Sequence, residues 1–268
     1  MIEKIRIYSI YAAIGISLLM IITSGSVLAA SKFYLKAVNA HDFIGGTIPE
    51  YVSGTALNLV FVLTLTSFLA VFIFKSLFKK SSSPEVFFIL VAVAALSLEG
   101  LRAVIYLSYF YGWMYRIYLV LPRVIYFGKL ISALALFISG LFSTGFPVQK
   151  QNIFLGLSFI FSILLSSSVP IDYSINANIL LPGNKTPYVI QKVIYGLYIL
   201  SLLNYFAAAY INKNKYFFII GLGTVLFALG MELVFPLTGG IYLIVGFFCL
   251  GTGLTLIHYT FNKIYHWI

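Results

Sequence analysis

The chain has 268 residues, of which 61% are hydrophobic and only 9% are charged. Soluble domains carry about 25% charged residues, so this composition excludes a water-soluble globular protein and predicts a surface covered mainly by lipid. The net charge of +10 does not indicate a nucleic-acid partner, because the basic residues form short clusters between apolar runs. Such clusters are typical of topology signals and of contacts with anionic membrane lipids.

Apolar runs of about 20 residues, the length that crosses a bilayer as a helix, predict eight spans in a single integral membrane domain, 1–268. The first run follows a basic start and ends in small residues, so it predicts either an uncleaved helix or a secretory signal peptide, and its length favours the uncleaved helix. The predicted fold is an all-α polytopic transmembrane helical bundle. Its spans are 7–30, 56–78, 86–109, 120–146, 153–169, 189–211, 216–235 and 241–262.

Lysines and arginines accumulate in alternate connections between the spans. This bias sets the orientation of multi-pass proteins, because cytoplasmic loops retain the positive charges. Both termini are therefore expected in the cytoplasm, and the protein is expected in the cytoplasmic membrane of a bacterium. The residues that carry the bias are Lys4, Arg6, Lys75, Lys79, Lys80, Lys150, Lys213, Lys215 and Lys263.

Small and polar residues within the spans predict where helices meet. Pairs of small residues four positions apart let backbones approach closely, so Ser139 with Ser143, and Gly251 with Thr255, predict helix contacts. An amide within a span usually bonds a neighbouring helix. Asn204 in the sixth span is expected to do so.

Charged side chains within the spans are few. Each costs roughly 2.5–3.5 kcal/mol on insertion scales, so each needs a charged partner or a watery cavity. Glu99 and Arg102 are three residues apart on the third span and are expected to pair. With a rise of about 1.5 Å per residue, these two residues and Glu232 fall in the outer half of the membrane. Arg123 and Lys129, on the inward-running fourth span, fall in the same half.

Arginine is concentrated near this predicted layer. Arg102, Arg116 and Arg123 are three of the four arginines, and the rigid guanidinium fork suits a carboxylate or a phosphate. Many tyrosines accompany them. We therefore predict an outward-facing, aromatic-lined cavity that binds a small anionic or amphipathic ligand, with the two glutamates holding the arginines, in a permease or a membrane sensor component. The predicted ligand-binding residues are Glu99, Arg102, Arg116, Arg123, Lys129 and Glu232.

Three alternatives stay open for the charged layer. The Glu99–Arg102 pair can simply fix helix packing. The layer can pair with another membrane subunit, which makes the protein an assembly subunit. In an intramembrane lipid-modifying enzyme, Glu99 or Glu232 acts as general base beside Arg102.

No catalytic motif supports an enzyme. The single cysteine, Cys249, and three scattered histidines predict neither a metal site nor a cofactor. The segments that end at Glu99 and Glu232 resemble each other, as expected for a 4+4 helix pseudo-repeat. Coincidence explains this resemblance better in a chain so rich in alanine and leucine.

Overall fold

The structure is a computed structural model that describes residues 2–34, 50–81, 83–110, 115–170, 175–176, 181–182, 188–237 and 240–265. These residues form nine α-helices, and two short strands that pair in antiparallel fashion. The elements are α1 (Ile2–Tyr34), α2 (Glu50–Ser81), α3 (Pro84–Leu96), α4 (Leu101–Phe110), α5 (Tyr115–Ser143), α6 (Gln151–Ser167), β1 (Ile175–Asn176), β2 (Leu181–Pro182), α7 (Tyr188–Ile211), α8 (Tyr216–Val234) and α9 (Ile241–Tyr265).

Eight helical segments are long and apolar enough to cross a membrane, which confirms the all-α helical bundle and the multi-pass membrane protein. Together, α3, a 3-10 turn (Ser97–Gly100) and α4 make up the third span. The fourth candidate span begins at Val120, as predicted, but it ends at Ser143 rather than at 146. It is part of the longer helix α5, which begins at Tyr115 and contains Pro122.

The bundle has two ends that differ in charge. The end where α2, α5, α7 and α9 finish carries five exposed lysines among the described residues, and we call it the lysine-rich end. The opposite end, where α4 finishes and α5 and α9 begin, is the far end. The lysines of the lysine-rich end are Lys79, Lys150, Lys213, Lys215 and Lys263.

The third span and α5 lie at the centre of the bundle. In their most apolar stretches 72% and 78% of the residues are buried, against 17% in α6 and 28% in α9. The third span packs on α1, α2 and α5, and α5 also packs on α6 and α7; α8 packs on α7 and α9, and α9 also contacts α2. The charged residues Glu99, Arg102 and Lys129 of these two spans are buried, so they lie within protein and away from lipid.

The helices α8 and α9 approach each other most closely through glycines. A Cβ on Gly230 would lie 2.6 Å from the backbone nitrogen of Leu250, and a Cβ on Gly253 would meet the backbone of α8 at the same distance. The predicted contact at Gly251 and Thr255 was wrong. Gly251 has open space where a Cβ would be and Thr255 is exposed, because the packed face of α9 is offset from them by two residues.

The other predicted helix contacts are found where α5 packs on α7. The Ser139 Oγ is 2.7 Å from the Tyr205 hydroxyl oxygen, and Ser143 is buried at the same interface. The amide of Asn204 donates to the Phe137 carbonyl at 3.4 Å. Both predictions, at Ser139 with Ser143 and at Asn204, are confirmed.

Candidate functional site

The third span is broken at its charged segment. The 3-10 turn Ser97–Gly100 begins where the Ser97 N–H bonds to the carbonyl three residues back, which leaves the Val93 carbonyl without its helical donor. The Ser67 hydroxyl on α2 donates to this carbonyl at 2.6 Å. A polar contact from a neighbouring helix therefore stabilises the break, and Glu99 lies within it.

Close packing also holds the turn in place. A Cβ on Gly100 would lie 2.9 Å from the Thr64 methyl group and 3.2 Å from Met20. Only glycine fits this approach of the turn to α1 and α2. The segment that carries Glu99 is thus fixed from two sides.

The first ion pair joins Glu99 to Arg102. The Glu99 Oε2 is 2.6 Å from the Arg102 Nε, and these residues are only 3% and 0% exposed. The Arg102 Nη1 also donates to the Phe235 carbonyl at 2.7 Å, and the guanidinium carbon lies 4.3 Å from the centre of the Phe235 ring. The predicted i, i+3 pair is confirmed, and it is tied to the end of α8.

The second ion pair joins Lys129 on α5 to Glu232 on α8. The Lys129 Nζ lies 2.9 Å from Glu232 Oε1 and 3.0 Å from Oε2. It also lies 3.8 Å from the centre of the Phe235 ring. One aromatic ring therefore contacts both cations, an arrangement that an electron-rich ring face stabilises. We call Glu99, Arg102, Lys129 and Glu232 the ion quartet.

Glu232 is the most accessible member of the ion quartet. Its side chain is 16% exposed, against 1% for Lys129. The Tyr195 hydroxyl donates to Glu232 Oε2 at 3.5 Å, and the Gln191 amide donates to the same hydroxyl at 2.6 Å. Tyr195 is 42% exposed. The exposed side of the ion quartet is therefore formed by Glu232 and by Tyr195 of α7.

The end of α8 stops at the level of the ion quartet. The hydrogen bond from Arg102 to the Phe235 carbonyl fixes this level, and α4 continues for eight more residues to Phe110, about 12 Å along the helix. After α8, Leu237 has a positive φ of 52° and is buried against α1, α2 and α4. The turn towards α9 is therefore anchored well below the end of α4.

The structure brings together four of the six predicted ligand-binding residues. In ionised form, the two acids and two bases of the ion quartet sum to zero. Arg123 lies outside both pairs, and its buried Nε has no hydrogen-bond partner among the described residues. Arg116 belongs to the first turns of α5, but its side chain lies outside the part of the chain that is described. The prediction that Glu232 holds an arginine was wrong, since its partner is Lys129.

Phe235 and Tyr195 were missed by the sequence reasoning. A signal for Phe235 was present: it follows Glu232 by three residues, just as Arg102 follows Glu99. The side chains at these corresponding positions, Arg102 and Phe235, contact each other. The pseudo-repeat itself stays a prediction. The first helices of its two halves, α1 and α6, have different neighbours, since α1 packs on the next helix, α2, whereas α6 packs on the preceding helix, α5.

The site offers little to a metal ion. Across the described ranges, no three residues among His, Cys, Asp and Glu come close enough to bind one. Comparison of the chain with protein-family models, curated proteins and solved structures gives no significant match. The function must therefore be argued from the ion quartet.

Proposed function

We propose that this protein is a non-enzymatic multi-pass membrane protein that binds a small organic anion at the ion quartet, entering from the far end, as a permease or a membrane sensor component. One observation carries the proposal. Lys129 is a buried cation whose only carboxylate partner at hydrogen-bond distance in the described structure is the accessible Glu232.

An anion can occupy the place of the Glu232 carboxylate. A ligand carboxylate would find the Lys129 ammonium, the Phe235 ring beneath it and the Tyr195 hydroxyl at the boundary. Apolar side chains surround these groups, so a carboxylate with a short apolar tail matches the site better than inorganic phosphate. Arg102 is less suited to this role, because Glu99 and the Phe235 carbonyl already engage it.

Access from the far end is supported by the levels of the helices. The helix α8 ends at the ion quartet while α4 continues about 12 Å beyond Arg102, which favours an entrance on this side of Phe235. Among the described residues, five exposed lysines lie at the other end and one, Lys192, lies near the start of α7 at the far end, so the positive-inside bias favours a far end that faces outward. We therefore place the ligand entrance on the outer side of a bacterial cytoplasmic membrane.

The broken third span fits a protein that changes shape. A 3-10 segment within a long helix often marks a hinge, and transporters place discontinuous helices at their binding sites. Here the break carries Glu99 and is bordered by Gly100. Movement at this turn would change the geometry of the first ion pair directly.

The alternatives receive less support. An assembly subunit would keep its charges for a partner, but the ion quartet pairs internally. A general base needs a carboxylate that can approach a substrate, and Glu99 is buried against Arg102. A role in packing alone does not require Lys129 to have an accessible counter-ion.

Anion binding can be tested with butyrate. The purified protein in lipid nanodiscs is titrated with butyrate and with the neutral analogue butyramide, and the thermal unfolding midpoint is followed. We expect butyrate, and not butyramide, to raise the midpoint of the wild type and of Lys192→Gln, which removes an exposed lysine of α7. Lys129→Gln should abolish the shift. An equal shift for Lys129→Gln, or for butyramide, would show that the quartet is not the binding site.

A further inference from the structure

A line of hydroxyl groups runs along the contact between α5 and α7. The two helices are the fourth and sixth spans, so they run in the same direction. Ser139 and Tyr205, 66 positions apart in the sequence, are hydrogen-bonded at 2.7 Å. Other residues with this separation should therefore also face each other. One heptad towards the far end, Ser132 and Tyr198 have the same separation in sequence. These two pairs define what we call the α5–α7 seam.

Ser132 and Tyr198, the outer pair of the seam, lack the direct hydrogen bond that joins Ser139 to Tyr205, the inner pair. Ser132 is fully buried, and neither its Oγ nor the buried hydroxyl oxygen of Tyr198 has a hydrogen-bond partner among the described residues. Buried hydroxyls without partners are costly, by about 1–3 kcal/mol each, unless a water bridges them. A water between Ser132 and Tyr198 would satisfy both hydroxyls.

This outer pair lies next to the ion quartet. Ser132 is one helical turn beyond Lys129 on α5, and Tyr198 is one helical turn beyond Tyr195 on α7, whose hydroxyl donates to Glu232. A water at this position is therefore placed to exchange a proton with the quartet.

The inner pair is closed by direct hydrogen bonds. The Ser139 hydroxyl donates to the Glu85 backbone carbonyl at 2.8 Å, so the Tyr205 hydroxyl is the donor in their mutual bond. Between the two pairs, the Ser201 hydroxyl donates to the Leu136 carbonyl. Because both serines are satisfied by backbone carbonyls, the inner pair needs no water and serves as the comparison for the outer pair.

The charge balance of the quartet limits what can bind there. The four ionised side chains sum to zero, and a net charge in a membrane interior is costly. An anion that enters alone leaves the site at minus one. An anion that enters with one proton leaves the site neutral.

We propose that an organic monoanion binds at Lys129 together with one proton, which protonates Glu232, and that a water between Ser132 and Tyr198 exchanges this proton with the site. This inference rests on the proposed function. The proton forms an O–H bond on the Glu232 carboxylate, the ion pair between Lys129 and Glu232 breaks, and the ligand carboxylate forms the new ion pair with Lys129. No electron or other group is transferred.

Several charged and titratable groups face Glu232. From α5 the nearest is Lys129, and from α7 it is Tyr195, with Tyr198 one helical turn further along. From the third span, Glu99 and Arg102 form a neutral pair. The Lys129 ammonium is the nearest opposing charge, so a ligand carboxylate that pairs with Lys129 would take the place of Glu232 beside it.

The first test measures butyrate affinity against pH, between pH 6 and 8, in nanodiscs. Where one proton must bind with the anion, the affinity of the wild type falls by about tenfold per pH unit. Glu232→Gln imitates the protonated carboxyl group, so it should bind butyrate with an affinity that does not change with pH. Wild-type binding that is independent of pH overturns the proton inference alone. Absence of butyrate binding in both proteins overturns the proposed function as well.

The second test is independent of any ligand. Radiolysis converts bound waters to hydroxyl radicals that oxidise adjacent tyrosines, so Tyr198 should be oxidised several-fold faster than Tyr205, which bonds directly to Ser139. Ser132→Ala removes one partner of the water and should slow the oxidation of Tyr198 only. Equal rates at the two tyrosines would overturn the water at the outer pair, and with it the proton exchange beside the quartet.

Discussion

The two members of the Lys129–Glu232 pair should differ in what their removal does to stability. Removing one partner of a buried pair destabilises by roughly 3–5 kcal/mol, because the other charge is left without compensation. Glu232→Gln leaves Lys129, whose side chain is 1% exposed, so we expect a loss of about 3 kcal/mol. Lys129→Gln leaves Glu232, which is 16% exposed and adjoins the exposed Tyr195, so the loss should be smaller, about 1–2 kcal/mol.

The measurement is equilibrium unfolding in mixtures of SDS and a mild detergent, followed by circular dichroism. Butyrate at about 100 times its dissociation constant should restore about 2.7 kcal/mol to Glu232→Gln and nothing to Lys129→Gln. The charge swap of Lys129→Glu with Glu232→Lys keeps the pair and should retain stability, but it should not respond to butyrate. Equal losses for the two single variants, or recovery of Lys129→Gln by butyrate, would refute the reasoning from burial.

Three further changes test the packing around the site by the same unfolding assay. Gly230→Val, whose Cβ meets the α9 backbone, should destabilise by about 3 kcal/mol, whereas Gly251→Val, which points into open space, should change stability little. Ser67→Ala leaves the buried Val93 carbonyl unpaired and should lose about 1–3 kcal/mol, and Ser67→Thr, which keeps the hydroxyl, should lose less. Phe235→Leu removes the ring shared by both cations and should lose about 1–2 kcal/mol more than Phe235→Tyr; similar losses would show that the ring acts only by its volume.

The spans were predictable because bilayer thickness sets their length and because hydrocarbon excludes polar backbone. The break in the third span was not. Its cause is the Ser67 hydroxyl, which meets the Val93 carbonyl from 26 residues away, together with the fit of Gly100 against α1 and α2. Neither contact leaves a periodic signal within the third span itself. The sequence of that segment reads as one continuous apolar helix.

The candidate site, like the fold, could be predicted only in part. The Glu99–Arg102 pair is local, so spacing alone predicted it. The common depth of the charges followed from counting residues along each span, but depth says nothing about partners. The Lys129–Glu232 pair joins residues 103 positions apart and depends on how α5, α7 and α8 are arranged. Phe235 was missed because an aromatic residue before a proline is ordinary at the end of a membrane helix.

The position of the ion quartet argues that it serves more than helix packing. Four ionisable side chains carry a gross insertion cost of roughly 10 kcal/mol, and apolar residues of similar volume often pack as well as a buried ion pair or better. The bundle has other means of packing, since α8 meets α9 through glycines and α5 meets α7 through hydroxyl contacts. Three of the charges lie on the two most buried spans, and the fourth, the Glu232 carboxylate, lies on α8 at the boundary. A site that must exchange one anion for another requires that arrangement, and a packing contact does not.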